Sequence, residues 1–122
     1  MSTIKVLWYY ITQMVKINIK PMSMNRAYKG RVYKSGEYLM YEKELGLILP
    51  RLEVPEGPLA LHIKFGFSRK ASDIDNPVKP FLDVLQKKYG FNDKMVYELK
   101  VEKRIVPVGK EFIEWRLSPI VA

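Results

Sequence analysis

Four segments of the chain alternate apolar and polar residues with the period of a half-buried β-strand. They span residues 14–21, 59–67, 96–106 and 112–117. In the second segment the apolar residues Leu59, Leu61, Ile63, Phe65 and Phe67 share one side, and in the last segment Ile113, Trp115 and Leu117 do the same. The pattern predicts four strands, each with one face turned toward a core.

Two further segments carry apolar residues at helical spacing. The segment 37–49 follows a Ser35-Gly36 start signal, and Asn76-Pro77 supplies a good N-cap and first position for a second helix that ends at Gly90. The apolar stripe of this second helix consists of Val78, Phe81, Leu82, Leu85 and Tyr89. Together the patterns predict an α+β fold of two layers, in which two helices pack on one side of a small mixed or antiparallel sheet of about four strands.

The length of 122 residues fits a single domain. Because the first strand pattern starts at Met14, we interpret residues 14–122 as the domain and residues 1–13 as an N-terminal extension. The extension could be an extra edge strand, a packing arm or the product of an upstream translation start. Its apolar run is far too short to span a membrane and no cleavage signal follows, so we expect a cytoplasmic protein.

The charge balance favours a polyanionic partner. Lys and Arg total 21 against 13 Asp and Glu, which gives a net charge of +8. Nucleic acid is the first candidate and an anionic membrane surface is the second. The chain has no cysteine and one histidine, His62, which excludes thiolate chemistry and multi-histidine zinc sites. A metal would therefore have to be held by oxygen ligands.

Basic residues are concentrated in the loop before the first helix and just ahead of the second helix. The loop also contains Tyr28 and Tyr33, a composition suited to phosphate contacts and to loose stacking on unpaired bases. A solvated loop without a ligand is the alternative. The residues expected to contact DNA are Lys20, Asn25, Arg26, Lys29, Arg31, Lys34, Arg69 and Lys70.

All four aspartates of the chain lie between residues 73 and 93. Asp73 and Asp75 are two positions apart in a segment expected to be extended, so their carboxylates could share a Mg²⁺ ion, which is usually held by one or two protein carboxylates plus substrate phosphate. The alternative is that both acids only stabilise the positive end of the following helix. The sequence leaves these two interpretations open.

Lys79 stands in the first turn of the second helix, where a cation is unfavourable. It could bind the scissile phosphate, or it could form a surface pair with Asp83 four residues later. Asp93 follows the far end of a helix about 20 Å long, so it should lie away from Asp75. If the three aspartates meet, either the chain folds back or a two-fold dimer assembles each site across its interface.

The motif "DIDNPVKPFLDVLQ" at 73–86, followed by "YGFNDKMV" at 89–96, resembles the signature of the RusA-type Holliday junction resolvases, small phage- and prophage-encoded endonucleases. The basic stretch "KPMSMNRAYKGRVYKS" at 20–35 is similar to the N-terminal loop of that family, and the resemblance covers roughly 14–117. It implies a homodimer that cuts two opposing strands of a four-way DNA junction with Mg²⁺ or Mn²⁺.

The resemblance also implies roles for individual residues. Asp73, Asp75 and Asp93 match the catalytic metal-binding aspartates and Lys79 matches the essential lysine. We expect Asn76 and Asp83 to support these residues without binding the metal. The sequence departs from many members in having Asn92-Asp93 where they have two acids. The expected activity is metal-dependent hydrolysis of DNA, with a non-cleaving binding module for branched or single-stranded nucleic acid, or a general flap or RNA nuclease, as alternatives.

Overall fold

The computed structural model describes residues 14–24, 28–29 and 33–120. For residues 28–29 and 33–34 it describes the backbone and not the side chains. Within these residues the chain forms a mixed sheet of four strands, a separate two-stranded pair and two α-helices. The elements in chain order are β1 (Val15–Ile17), β2 (Tyr28–Lys29), β3 (Tyr33–Lys34), α1 (Gly36–Ile48), β4 (Leu59–Phe67), α2 (Val78–Tyr89), a short 3₁₀ helix (Asp93–Met95), β5 (Val96–Ile105) and β6 (Phe112–Pro119).

The strands of the mixed sheet are ordered β1-β6-β4-β5. β4 pairs antiparallel with β6, and β6 pairs antiparallel with β1. On its other side β4 pairs parallel with β5, because α2 carries the chain back to the starting edge of the sheet between these two strands. The predicted α+β class, with helices on a small mixed sheet, is confirmed.

The core lies on the face of the sheet that α1 and α2 cover. Phe81 of α2 meets Trp115 of β6 edge to face, with ring centroids 6.1 Å apart. Trp115, Phe65 and Ile63 are fully buried, as the alternation in β4 and β6 predicts. The remaining core side chains come from both helices and the strands, and include Tyr38, Tyr41, Leu45, Val84, Leu85, Leu59, Leu61, Ile113 and Leu117.

The opposite face of the sheet carries charged side chains. His62 on β4 and Arg104 on β5 both hydrogen-bond to Glu102, with the Arg104 Nη2 to Glu102 Oε1 distance at 2.8 Å. The hydrogen bond from His62 and then that from Arg104 lower the pKa of Glu102 to about 2. Lys64 and Glu114 form a further cross-strand pair. The fold therefore has two layers, with the helices on one side only of the described sheet.

The helix boundaries differ from the prediction at one point. Ser35 caps α1 as expected, because its hydroxyl oxygen accepts the backbone N–H of Tyr38 at 3.1 Å. The prediction that Asn76 caps the second helix is wrong: α2 begins at Val78, Pro77 occupies the cap position and no side chain bonds there. The predicted end at Gly90 is confirmed by its left-handed backbone, with φ of 73°.

Two of the predicted strands, those over residues 14–21 and 96–106, differ from the structure in detail. β1 ends at Ile17 and not at Pro21, because the backbone N–H of Ile19 turns back to the carbonyl of Ile17. β5 has the predicted span within one residue, but Tyr97 and Leu99 are 67% and 51% exposed. Their exposure follows from the position of β5 at the end of the sheet formed by the described strands.

Two glycines provide a matched test of packing. A Cβ on Gly66 of β4 would overlap the ring of Phe112, whereas a Cβ on Gly46 of α1 would meet no atom within 4 Å. We expect Gly66→Ala to lower the free energy of unfolding by about 1–3 kcal/mol through overpacking. Gly46→Ala should raise it by about 0.5–1 kcal/mol through helix propensity. Urea denaturation of both variants measures the difference, and equal effects of the same sign would contradict this packing.

Candidate active site

An open cleft of about 310 Å³ lies where the segment after β4 approaches the segment after β1 and the start of β6. Its lining combines acidic residues, basic residues and small polar ones. Asp73 and Glu111 contribute carboxylates, while Lys20 and Arg69 contribute cations. The other lining residues are Pro21, Ser23, Phe67, Ser68, Ala71, Ser72, Asn76 and Pro77. The cleft thus brings Asp73 together with two of the predicted DNA-binding residues.

The segment that carries Asp73 and Asp75 is bent, and not extended as its sequence suggested. The backbone carbonyl of Asp75 accepts the N–H of Val78 at 3.1 Å, which forms a turn just before α2. Asn76 Nδ2 donates to Asp73 Oδ2 at 3.2 Å, so Asn76 supports the Asp73 carboxylate. Both aspartates are exposed to solvent, but only Asp73 is among the residues that line this cleft.

A backbone hydrogen bond joins this segment to the start of the basic loop. The N–H of Met24 donates to the carbonyl of Asn76 at 3.0 Å. The contact positions the residues after β1 beside the aspartates, and it accounts for Lys20 and Ser23 in the lining of the cleft. A basic loop and an acidic segment therefore share one border, although they are about fifty residues apart in the sequence.

Lys103 of β5 binds the backbone of the segment that leads into Asp73. Its Nζ donates to the carbonyl oxygens of Lys70 at 2.6 Å and Ser72 at 2.5 Å. Sequence reasoning missed this residue, although a signal exists: Lys103 interrupts the otherwise apolar side of β5 formed by Leu99, Val101 and Ile105. The lysine therefore holds the backbone immediately before Asp73 against the end of β5.

A chain of polar contacts runs along α2. Lys79 Nζ lies 3.2 Å from Asp83 Oδ1, which is the predicted pair. Gln86 Nε2 donates to the same oxygen at 3.5 Å, and Gln86 Oε1 accepts the backbone N–H of Asp93 at 2.8 Å. The sequence analysis did not single out Gln86. Helical spacing does not show that its side chain reaches beyond α2 to Asp93 in the following turn. The contacts tie Lys79 and Asp83 to the segment that carries Asp93.

Asp93 lies beyond the end of α2 that is remote from Asp75. α2 has 12 residues, and a helix of that size is about 18 Å long. Among the residues that the structure describes, no three or more acidic, histidine or cysteine side chains are grouped to hold a metal ion. A single copy of the chain thus keeps Asp93 apart from Asp73 and Asp75.

The donor chemistry of the cleft nevertheless fits a hard divalent cation. Carboxylate oxygens are the ligands that Mg²⁺ prefers, and one or two of them suffice when a substrate phosphate supplies more. Glu111, which the sequence analysis did not single out, adds a second carboxylate to the lining of the cleft. Hydrogen bonds from its own backbone N–H and from the Ser68 hydroxyl lower the pKa of Glu111, with smaller contributions from Gly109 and Lys20.

The predicted DNA-binding residues fall into three groups. Lys20 and Arg69 line the cleft, and Lys70 is exposed next to it. Lys29 and Lys34 lie in β2 and β3, which pair antiparallel within the predicted basic loop. Asn25, Arg26 and Arg31 lie outside the described residues, as does the proposed extension 1–13. Their DNA contacts stay predictions.

The fold and the cleft define a class of protein. It is a small α+β protein in which lysine and arginine side chains line the same cleft as an acidic segment. The family model described as Endodeoxyribonuclease RusA matches residues 16–111. The chain belongs to the RusA endodeoxyribonuclease family, as its motif indicated. A search of curated proteins returns no match. Across the described residues, every helix is too short or too polar to cross a membrane.

The Lys103 contacts generate a first test of the site. In Lys103→Met the carbonyls of Lys70 and Ser72 lose their charged donor, so the segment before Asp73 should open more often. We expect amide hydrogen exchange at residues 69–75 to accelerate about tenfold, which corresponds to roughly 1.4 kcal/mol of local stability. Lys43→Met on α1 is the control. Unchanged exchange in Lys103→Met would show that these hydrogen bonds do not hold the segment.

Proposed function

We propose that this protein is a divalent-metal-dependent endonuclease that resolves four-way DNA junctions by paired, symmetric incision in the cytoplasm. The observation that carries the proposal is the cleft in which Asp73 lies beside Lys20 and Arg69. Such a cleft can accept a phosphate and a cation together. Membership of an endodeoxyribonuclease family supports hydrolysis of DNA as the reaction.

In the proposed mechanism Asp73 and Asp75 of one protomer and Asp93 of a second copy, in the homodimer that the family resemblance implies, would together hold Mg²⁺ or Mn²⁺. When bound, this ion would lower the pKa of a water molecule and offset the charge of the scissile phosphate. Lys20 and Arg69 bind flanking phosphates and orient the DNA strand over Asp73. Asn76 keeps the Asp73 carboxylate in place through its 3.2 Å hydrogen bond.

Lys79 supplies the positive charge that the reaction needs. Its ammonium is paired with Asp83 at 3.2 Å, and the lysine side chain is 54% exposed. A surface pair of this kind is worth at most about 1 kcal/mol, so a DNA phosphate can compete for the lysine. On the proposed path the ammonium stabilises the negative charge that develops as the phosphodiester bond breaks.

The test is a substitution that removes charge but keeps shape. Asp75→Asn should bind a labelled four-way junction at least as well as the unmodified protein, because it removes a negative charge near the phosphates. It should cleave the junction at least about 100-fold more slowly, because the cation loses a ligand. Gel-shift binding and timed cleavage with Mg²⁺, at one fixed salt concentration, measure both quantities.

Glu56→Gln, an exposed acid in the turn before β4, is the matched control and should cleave normally. Cleavage by Asp75→Asn at the unmodified rate would contradict the assignment. Binding without any metal-dependent cleavage by the unmodified protein would instead support a non-cleaving module. Junction, flap, duplex and RNA substrates compared side by side distinguish a resolvase, which cuts the junction in paired positions, from a general nuclease.

A further inference from the structure

The face of the sheet that α1 and α2 leave uncovered contains an open cleft of about 270 Å³. Strands β4, β5 and β6 all contribute to its lining, and the polar lining residues are His62, Glu98, Lys100, Arg116 and Ser118. Among the described residues, this cleft and the cleft that contains Asp73 have no lining residue in common. The uncovered face therefore carries a second concave site, which the mechanism above does not use.

Three basic residues form a row across this cleft. His62 of β4 pairs with Lys100 of β5 on one side and with Arg116 of β6 on the other. Paired residues of neighbouring strands project from the same face of a sheet. Because neighbouring strands are about 4.8 Å apart, the backbones of Lys100 and Arg116 are separated by about 10 Å. These three residues, called the basic row below, therefore surround a space that a single anionic group can enter.

The composition of the basic row differs from that of the next row along the same strands. There Lys64 lies between Glu102 and Glu114, so that opposite charges alternate across the sheet. Glu114 pairs with Lys64, and Glu102 accepts hydrogen bonds from His62 and Arg104. Like charges on neighbouring strands destabilise a sheet, whereas opposite charges stabilise it. The basic row gives up this stabilisation, and an anion bound between its members would restore it.

The distance between the basic row and the Asp73 cleft corresponds to a few nucleotides of DNA. Phe67, at the end of β4, lines the Asp73 cleft, and the five residues of strand from His62 to Phe67 span roughly 17 Å. One strand of B-form DNA rises 3.4 Å per nucleotide, so this span equals about five nucleotides. The face between the two clefts has an excess of positive charge. The described strands project from it Lys16, Lys64, Lys100, Arg104 and Arg116 against Glu98, Glu102 and Glu114.

We propose that the basic row binds a backbone phosphate of the DNA arm whose cut strand lies in the Asp73 cleft. Lys100 and Arg116 supply the positive charge. The carboxylate of Glu98 in the lining limits the excess of positive charge, which suits the single negative charge of a phosphodiester. Such a contact fixes the position of the arm without reading its sequence. The choice of DNA as the ligand rests on the proposed function, whereas the basic row itself follows from the register of the sheet.

A double substitution tests the basic row. Lys100→Gln combined with Arg116→Gln removes both permanent charges and keeps long polar side chains. Fluorescence anisotropy measures the binding of a labelled four-way junction in EDTA, so that cleavage plays no part. We expect the Kd to rise about tenfold at fixed salt, because a phosphate contact is lost. The slope of log Kd against log salt concentration should fall by about one to two.

The matched control removes the same net charge elsewhere. Lys43→Gln combined with Arg51→Gln changes two exposed cations on α1 and just after it, and should alter the Kd by less than about twofold. Equal losses in the two double variants would show a general attraction between charges and overturn the site. If thermal melting shows that the row variant is unfolded, Lys100→Glu alone takes its place, because this side chain is exposed, and it should also weaken binding about tenfold.

The position of the contact is tested on the DNA. Neutral methylphosphonates placed about five nucleotides from the mapped cut, on either side, should weaken binding by the unmodified protein. They should cause no further loss in the row variant, because the same contact is already absent. Losses that multiply would show that the basic row contacts another part of the DNA, and would contradict the proposed span.

The outcomes separate this proposal from the proposed function. With Mg²⁺ and saturating protein, the row variant should cut within about twofold of the unmodified rate, because the row lies away from Asp73. If the unmodified protein binds the junction but does not cut it, the proposed function fails, while binding in EDTA still decides the row. If the row variant binds DNA as tightly as the control variant, the row is wrong and the nuclease function stands. Loss of binding only to phosphatidylserine vesicles would assign the row to a membrane surface and overturn the DNA contact.

Discussion

The parallel pairing of β4 with β5 is the constraint on which the rest of the structure depends. Parallel neighbours require a crossover, and α2 provides it while covering the core with Phe81, Val84 and Leu85. The crossover places Asp75 before the helix and Asp93 after it, at opposite ends of the sheet. The separation of the aspartates in one chain is therefore a consequence of the topology.

Local electrostatics then decide how the acidic segment is held in a basic protein. The Asp73 carboxylate is supported by the neutral amide of Asn76, while the nearby cation Lys103 is directed to backbone carbonyls. Lys79 is paired with Asp83 on the helix. Lys103 and Lys79 are thus bound to other partners, and the exposed Asp73 carboxylate stays accessible to a cation. The arrangement suits a site that binds its ion together with a phosphate.

Much of the fold could be predicted because its signals are local. Alternation predicted the span of β4, the start of β6 and the burial of Trp115, although β6 continues two residues further, to Pro119, and helical spacing predicted α1 and α2. The start of α2 was missed because Asn76 bonds to Asp73 and not to the helix. Lys103 and Glu111 were missed because they contact segments that only the tertiary structure brings close, and Gln86 was missed because it reaches beyond its helix into the next turn. A periodicity identifies the face of an element but not the loop that packs beside it.

A site shared between protomers would couple DNA cutting to assembly. A single copy carries Lys20 and Arg69 beside Asp73, so it can attract a phosphate backbone. It keeps Asp93 at the other end of α2, so it lacks the full set of carboxylates that the proposed mechanism uses. The two-fold dimer that the family resemblance implies would complete the set, and it would complete two sites at once. The proposed cutting of a junction in two opposing strands would be matched by an enzyme whose active sites form in pairs.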